Sequence, residues 1–462
     1  MMISDGFGPA SVTMARTFYQ FTHRKPYDYP TPLDQIHVGN SRTRSSSSLI
    51  TDSGAGATAF SCNLKTYNGA IGVTPDKIPC GTVLEAAKHQ QRMLTGLVAT
   101  SRITHATPAS FAAHVEQRSQ ENTIALQEIG ENPLGRSLDL MFGGGYCHFL
   151  PQTLGKPESC RTDNRNLFEE AKTKYNWTTH MDYEIDRDNA TQPSLSDMSA
   201  KALDILFKAI EDKEEGFFLM IEGSRIDMAA HSSDAATHLY EILEYQKTIQ
   251  LVKNYVDQHP DTIMISTSDH ETGGLSLARQ VSPEYPVYLW YPDVLTRVKS
   301  STIRLAKEIK QMNPDRDSLV NHFLKDKLGI TDPTEAELKT LLDAKNGTEN
   351  NLDLYLADMV SLRAQLGWTT HGHSGVDVNL YAYGAGAELL IGSFENTEVG
   401  EFITKALDLN LTDITVQLNS KNASFHLAST TLSEESKLAY DEHLDHYHEA
   451  IPDHLKHTVF EP

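Results

Sequence analysis

Acidic and histidine side chains stand just after short apolar runs along most of this chain, and those two residue types together suit the binding of divalent metal ions. Asp5 follows MMIS, Glu222 follows FFLMI, Asp269 and His270 follow TIMISTS, and His373 lies shortly before VNLYAY. In EGSRIDMAAHSSD, residues 222–234, Asp227 and His231 are four apart, the separation that puts two ligands on one face of a helix. In HGHSG, residues 371–375, His371 and His373 face the same way on an extended segment, so spacing alone leaves either as a ligand. The stretch from His105 to Arg118 offers Thr107 as a neutral oxygen ligand and Arg118 as a fork for two phosphate oxygens. TDSGAGATAFS, residues 51–61, reads as the start of a helix whose small residues after Ser53 let another group approach the backbone. A helix N-terminus also favours anions.

Each of these has a plain structural reading. Asp52 or Ser53 could simply cap a helix, Arg118 could be a surface ion-pair partner, and residues 222–234 could be a solvated turn. What outweighs those readings is convergence: in a sheet of roughly parallel strands, residues at strand ends meet where α/β folds place their ligands. No GxSxG elbow is present, which argues against an α/β-hydrolase. The glycines at 143–145 lack the GK[ST] of a phosphate-binding loop and read as a tight turn.

The elements that must position these residues are visible as strand-length apolar runs at 93–101, 138–145, 216–223, 261–269 and 378–384. Between several of them lie stretches of helical period, such as SAKALDILFKAIEDK and AATHLYEILEYQKTIQLVKNYVDQ. The alternation predicts an α/β fold, a central mostly parallel sheet with helices on both faces, built as a single domain over residues 1–462. Residues 283–366 break the rhythm and are expected to form an insertion, a cap or a region touching a second copy. The Ser45–Ser48 run is expected to be a flexible loop. Only four residues precede Asp5, fewer than an ordinary strand of about five or six. The first strand is therefore expected to be truncated, with any targeting segment or membrane anchor upstream of Met1.

A net charge of −22 disfavours nucleic acid as a partner, since a polyanion would be repelled. An anionic substrate must then be attracted locally, by metal ions or a placed arginine. No run approaches the roughly 20 apolar residues that span a bilayer. The four cysteines form no CxxC pair, which disfavours a thiolate zinc site, and Cys147 and Cys160 bracket a loop that a disulfide could close. N-x-S/T sites at Asn176, Asn189, Asn346, Asn410 and Asn422 point to the lumen of the secretory pathway.

Taken in order, MISDGFG, TDSGAGATA, THATPASFAAHVEQR, IEGSRIDMAAH, TSDHETGG and HGHSG resemble the motifs of the alkaline phosphatases. Around HGHSGVDVNLYAYG and EGSRID the wording is most similar to the fungal vacuolar, repressible members, whereas residues 283–366 and those beyond about 410 resemble the family less. The resemblance implies an alkaline-phosphatase-like fold with a cap or crown insertion, and a homodimer, in the vacuole. It implies hydrolysis of a broad range of small phosphate monoesters at alkaline pH, with Ser53 as nucleophile, Asp52 supporting it and Arg118 gripping the phosphoryl oxygens. Asp227, His231 and His373 would hold one zinc ion, and Asp5, Ser53, Asp269 and His270 a second. Asp5 would also reach a magnesium ion shared with Thr107 and Glu222. His371, His105 and Met228 would stand behind these ligands. The chain departs from the pattern at Met228, where members often carry Lys or His, and at His105, where others carry Asp. The rival readings are a phosphodiesterase of the same superfamily and an inactive structural subunit. TDSGAG lacks the C/S-x-P-x-R context of a sulfatase.

Overall fold

The long strands form where the apolar runs lie, because alternate side chains of each run can be buried on opposite faces of one sheet. In the computed structural model the strands are β1 (Met2–Ile3), β2 (His37–Arg42), β3 (Leu94–Arg102), β4 (Leu140–Gly144), β5 (Phe217–Glu222) and β6 (Ile263–Thr267), then β7 (Glu271–Thr272), β8 (Ser276–Leu277), β9 (Leu366–Gly367), β10 (His373–Ser374), β11 (Val378–Gly384) and β12 (Gly392–Glu395). An eight-stranded sheet has the order β12-β2-β11-β6-β1-β5-β3-β4. Its pairings are parallel except at β11, which runs antiparallel to both β2 and β6. The structure describes residues 1–156, 158–178, 192–210, 216–285, 288–346 and 351–420. All of them fall in the compact unit Met1–Ser429.

Strand alternation divides the packing against the sheet between two cores. Val98, Leu219, Ile221 and Met264 bury on one face, with Leu203 of helix Leu195–Ala209 and Ile242 and Ile249 of helix Ala235–Gln258. Their sequence neighbours Leu97, Met220 and Ile265 bury on the other, with Phe60 of helix Ser53–Cys62, Leu84 of helix Val83–His89 and Val399 of helix Asn396–Ala406. Each such side chain contributes roughly 1.5–3 kcal/mol by leaving water, so truncating Ile221 to alanine costs about 2–5 kcal/mol. The expected helices on both faces of a mostly parallel sheet are present.

β1 has only two residues, yet it lies between β5 and β6 in the middle of the sheet. Residues 283–366 follow β8 and run into β9, and these two strands pair with each other in a small sheet of their own. The helices between them bury Leu305, Ile309, Phe323, Leu341 and Leu356 in the same core as Ile221. The inserted segment therefore packs as part of that core. The Ser45–Ser48 run is a fastened turn: Ser48 N donates to Ser45 Oγ at 3.0 Å and Ser46 N to Thr66 O at 2.9 Å.

Cys147 pairs with Cys160 as the loop between them suggested, and Cys62 pairs with Cys80, a bridge that spacing did not indicate. The second bridge ties the end of helix Ser53–Cys62 to the segment leading into helix Val83–His89. Among the described residues no helix is long and apolar enough to cross a membrane. Asn189, Asn422 and the side chain of Asn346 lie outside the described residues, as do residues 421–462 of the expected single domain.

Candidate active site

β6, β1 and β5 are neighbours running in one direction, so their C-terminal ends deliver Asp269, Asp5 and Glu222 side by side. Glycines make the close approach possible. Gly6 has φ +71°, and a Cβ there would lie 2.7 Å from the Asp227 Cα, so helix Arg225–His231 can press against the turn after Asp5. A Cβ on Gly56 would lie 2.9 Å from the Asp269 Cβ, so the small-residue face of helix Ser53–Cys62 can reach the carboxylates. Asp52 is the N-cap of that helix and accepts from Ala55 N at 3.0 Å, which places Ser53 at its first position.

Ser53 Oγ lies 3.1 Å from His270 Nε2 and 3.5 Å from Asp5 Oδ1. His270 Nε2 is also 3.3 Å from Asp5 Oδ1 and 3.4 Å from Asp269 Oδ2. A second cluster sits alongside, where His231 Nε2 is 3.3 Å from both Asp227 Oδ2 and His373 Nε2. The rings of His270 and His373 stack with centroids 3.5 Å apart, which joins the two clusters. A third group comprises Asp5, His105 and Glu222, whose ligand atoms lie within 4.8 Å of one another. Arg118, buried with 6% exposure, donates from Nη1 to Asp52 Oδ2 at 3.1 Å and from Nη2 to His105 Nε2 at 2.9 Å.

Two features show that this donor set fits cations. His373 Nδ1 donates to Thr51 O at 2.8 Å and His231 Nδ1 to His371 O at 2.5 Å. In the neutral rings this leaves the Nε2 lone pairs of His231 and His373 facing each other, and a shared metal ion satisfies both. Deeper in, Asp5 Oδ2, Thr107 Oγ1 and both Glu222 oxygens are buried without hydrogen bonds, which is costly unless an ion takes them up.

The electrostatics agree. Burial, with Asp269, Asp227 and Glu222 nearby, raises Asp5 well above the usual carboxylate range. Burial pushes Glu222 up to about 8, and burial with Asp227 pushes Asp269 up to about 7. Burial also drives His270 well below its ordinary value, with His373 adding to the effect. Burial would raise Asp227 too, but His231, followed by His373 and His270, holds it well below the ordinary value. Asp52 likewise stays low against burial because of the Arg118 charge. Without cations, carboxylates so crowded would take up protons.

The residues singled out in the sequence therefore come together: Asp5, Ser53, Thr107, Arg118, Glu222, Asp227, His231, Asp269, His270 and His373 all border these clusters. Asp52 and His371 stand behind them, His371 through its carbonyl on His231. His105, expected only as a supporting residue, both holds Arg118 and offers a ring nitrogen to the Asp5–Glu222 group. Met228 is half-buried, one residue beyond Asp227. Sequence reading missed Thr272, whose hydroxyl bonds to Asp227 Oδ1 and stands 3.2 Å from His270 Nδ1. A hydroxyl residue between His270 and the Gly273–Gly274 turn was the available signal. Cys147, His148 and Cys160 also cluster, but both thiols are spent in the disulfide.

The family model for alkaline phosphatase matches residues 1–179 and 176–409. An alkaline phosphatase of Schizosaccharomyces pombe is 45% identical over 454 residues, covering 92% of this chain and 84% of that protein. The repressible alkaline phosphatase of Saccharomyces cerevisiae is 43% identical over 500 residues, covering 97% of this chain and 87% of that one. Among solved structures, a cold-active alkaline phosphatase from a Shewanella species superposes with a TM-score of 0.73 at 30% identity, covering 88% of this chain and 98% of that one.

Proposed function

The chain belongs to the alkaline phosphatase family, and on that premise we propose that it hydrolyses a broad range of phosphate monoesters at alkaline pH by way of a phosphoserine at Ser53. The observation that carries this reading is the placement of Ser53 at the start of a buried helix, its Oγ between His270 and Asp5. Arg118 stands nearby on Asp52, the cap of the same helix.

We assign Asp227, His231 and His373 to one zinc ion, Asp5, Ser53, Asp269 and His270 to a second, and Asp5, Thr107 and Glu222 to magnesium, with His105 beside that last group. When bound, such ions act as Lewis acids that lower the pKa of the serine hydroxyl and stabilise charge on the attacking and leaving oxygens. The chain itself positions and neutralises. Arg118, held by Asp52 and His105, presents its fork to two non-bridging phosphoryl oxygens. The Ser53 Oγ–P bond forms as the P–O bond to the alcohol breaks, the Ser53 proton passes to solvent, and the departing alkoxide is protonated from water. Water then attacks the phosphoserine in line, a new P–O bond forming as the Ser53 Oγ–P bond breaks; one water proton passes by way of solvent to Ser53 Oγ and the other stays on the inorganic phosphate that leaves. Two in-line displacements give net retention at phosphorus.

We also propose a luminal, vacuolar location; the two disulfides support the luminal part of it, since such bridges persist in oxidising compartments. We further propose a homodimer, with the inserted segment 283–366 as its crown. The test is hydrolysis of p-nitrophenyl phosphate across pH: activity should rise into the alkaline range, vanish on exhaustive chelation, and return with zinc plus magnesium. Full activity after exhaustive chelation would overturn the metal-dependent reading.

A further inference from the structure

Three histidines present Nε2 to the metal clusters, and each must keep its proton on Nδ1 to do so. For His231 and His373 the backbone enforces this, because His371 O and Thr51 O can only accept. For His270 the partner is a side chain, Thr272 Oγ1 at 3.2 Å. The same hydroxyl bonds to Asp227 Oδ1. A hydroxyl has one proton and the carboxylate has none to give, so that proton goes to Asp227 and a lone pair of Oγ1 is left to accept from His270 Nδ1–H. His270 Nε2 then carries a lone pair toward Ser53, Asp5 and Asp269.

The surroundings of Thr272 hold it in this position. It is fully buried, and it lies opposite His373 in the β7–β10 ladder. Its backbone N–H donates to Gly6 O at 3.2 Å, next to Asp5. One residue thus touches or faces groups from both zinc ligand sets while belonging to neither.

We propose that Thr272 is a positioning residue that fixes His270 in its Nδ1–H tautomer and, through the same hydroxyl, orients Asp227, so that zinc binding in one cluster is coupled to zinc binding in the other. The proposal rests on the zinc assignment above. Thr272→Val keeps the shape and removes the hydroxyl, whereas Thr272→Ser keeps the hydroxyl. Loss of a hydrogen-bonding group behind a ligand typically weakens metal affinity by about 10- to 100-fold. In chelator competition with zinc alone, Thr272→Val should lose affinity by that factor, and Thr272→Ser should stay within about threefold of the parent. Nitrogen-15 spectra of selectively histidine-labelled, metal-free parent protein, with His270 assigned by substitution, should show a protonated Nδ1 and a bare Nε2. In Thr272→Val the His270 signal should shift toward a mixture of tautomers. Unchanged zinc affinity in a folded Thr272→Val protein, or an Nε2–H tautomer at His270 in the parent, would overturn the proposal. The tautomer is read without metal or turnover, so it decides the role of Thr272 even if the parent protein takes up no zinc and the metal assignment itself fails.

Discussion

Arg118→Ala removes the charge proposed to face the substrate and also unbalances the residue behind it. Arg118 is 6% exposed and its guanidinium is held by Asp52 at 3.1 Å and His105 at 2.9 Å, so its geometry is set before substrate arrives. A charge-assisted hydrogen bond contributes roughly 1.5–3 kcal/mol, which corresponds to about a 10- to 100-fold loss in kcat/KM. Asp52 adds to this. Arg118 holds its carboxylate low against burial, and without that partner Asp52 is left buried with only the Ala55 and Gly69 backbone donors to hold its charge and its position. Together the two effects give about a 10- to 1000-fold loss for p-nitrophenyl phosphate, with inhibition by inorganic phosphate weakened in parallel. Arg118→Lys should fall between, since it restores charge without the fork. Asp52→Asn keeps a capping side chain and should cost less than Arg118→Ala. A diester offers one fewer anionic oxygen, so bis(p-nitrophenyl) phosphate should suffer less than the monoester. Equal losses for monoester and diester, with an unchanged phosphate inhibition constant, would show that Arg118 only holds the fold together.

Met228→Lys should tighten inhibition by inorganic phosphate and lower kcat, because a cation beside Asp227 would retain product where release limits turnover. Met228→His should alter the magnesium dependence together with His105. Phosphate inhibition and magnesium titrations that agree within about twofold across the three proteins would mean that residue 228 does not reach the site. Glu121 tests the acid limb of stability. Burial would raise its pKa, but Arg102 and then His148 bring it down from 4.5 to about 2. A depressed acid stabilises the fold above its unfolded value and loses that contribution as pH falls through its folded value, so the window runs from about 4.5 down to about 2. At neutral pH the contribution is on the order of 3 kcal/mol. The stability gap between the parent and Glu121→Gln, measured by urea unfolding, should stay flat above that window and shrink as pH falls through it. A gap that widens on acidification would contradict the assignment.

Long-range order was most legible where a periodic pattern met an abrupt chemical change. β5 ends its apolar run at Glu222 and β6 leads directly to Asp269 and His270, so strand and candidate site residue could be read together. Asp227 and His231 were legible because helical periodicity turns a spacing of four into one face. β7 and β10 were not, because two residues carry no period, and their pairing depends on segments about 100 residues apart in sequence. Cys62–Cys80 escaped for a similar reason, since a bridge depends on where helix Ser53–Cys62 ends in space. His105 and Thr272 act through atoms that only the packed site brings within reach of Arg118, Asp227 and His270.

Hydrolysis by the proposed route requires Ser53 to carry the phosphoryl group. Labelled inorganic phosphate mixed with the enzyme and quenched in acid traps whatever covalent phosphoenzyme has formed, and peptide mapping then locates it. Label on the peptide containing Ser53, and no label in a Ser53→Ala protein that still binds zinc and loses about 10³-fold or more in turnover, is the predicted result. Label retained by Ser53→Ala, or found on another residue of the parent, would contradict it.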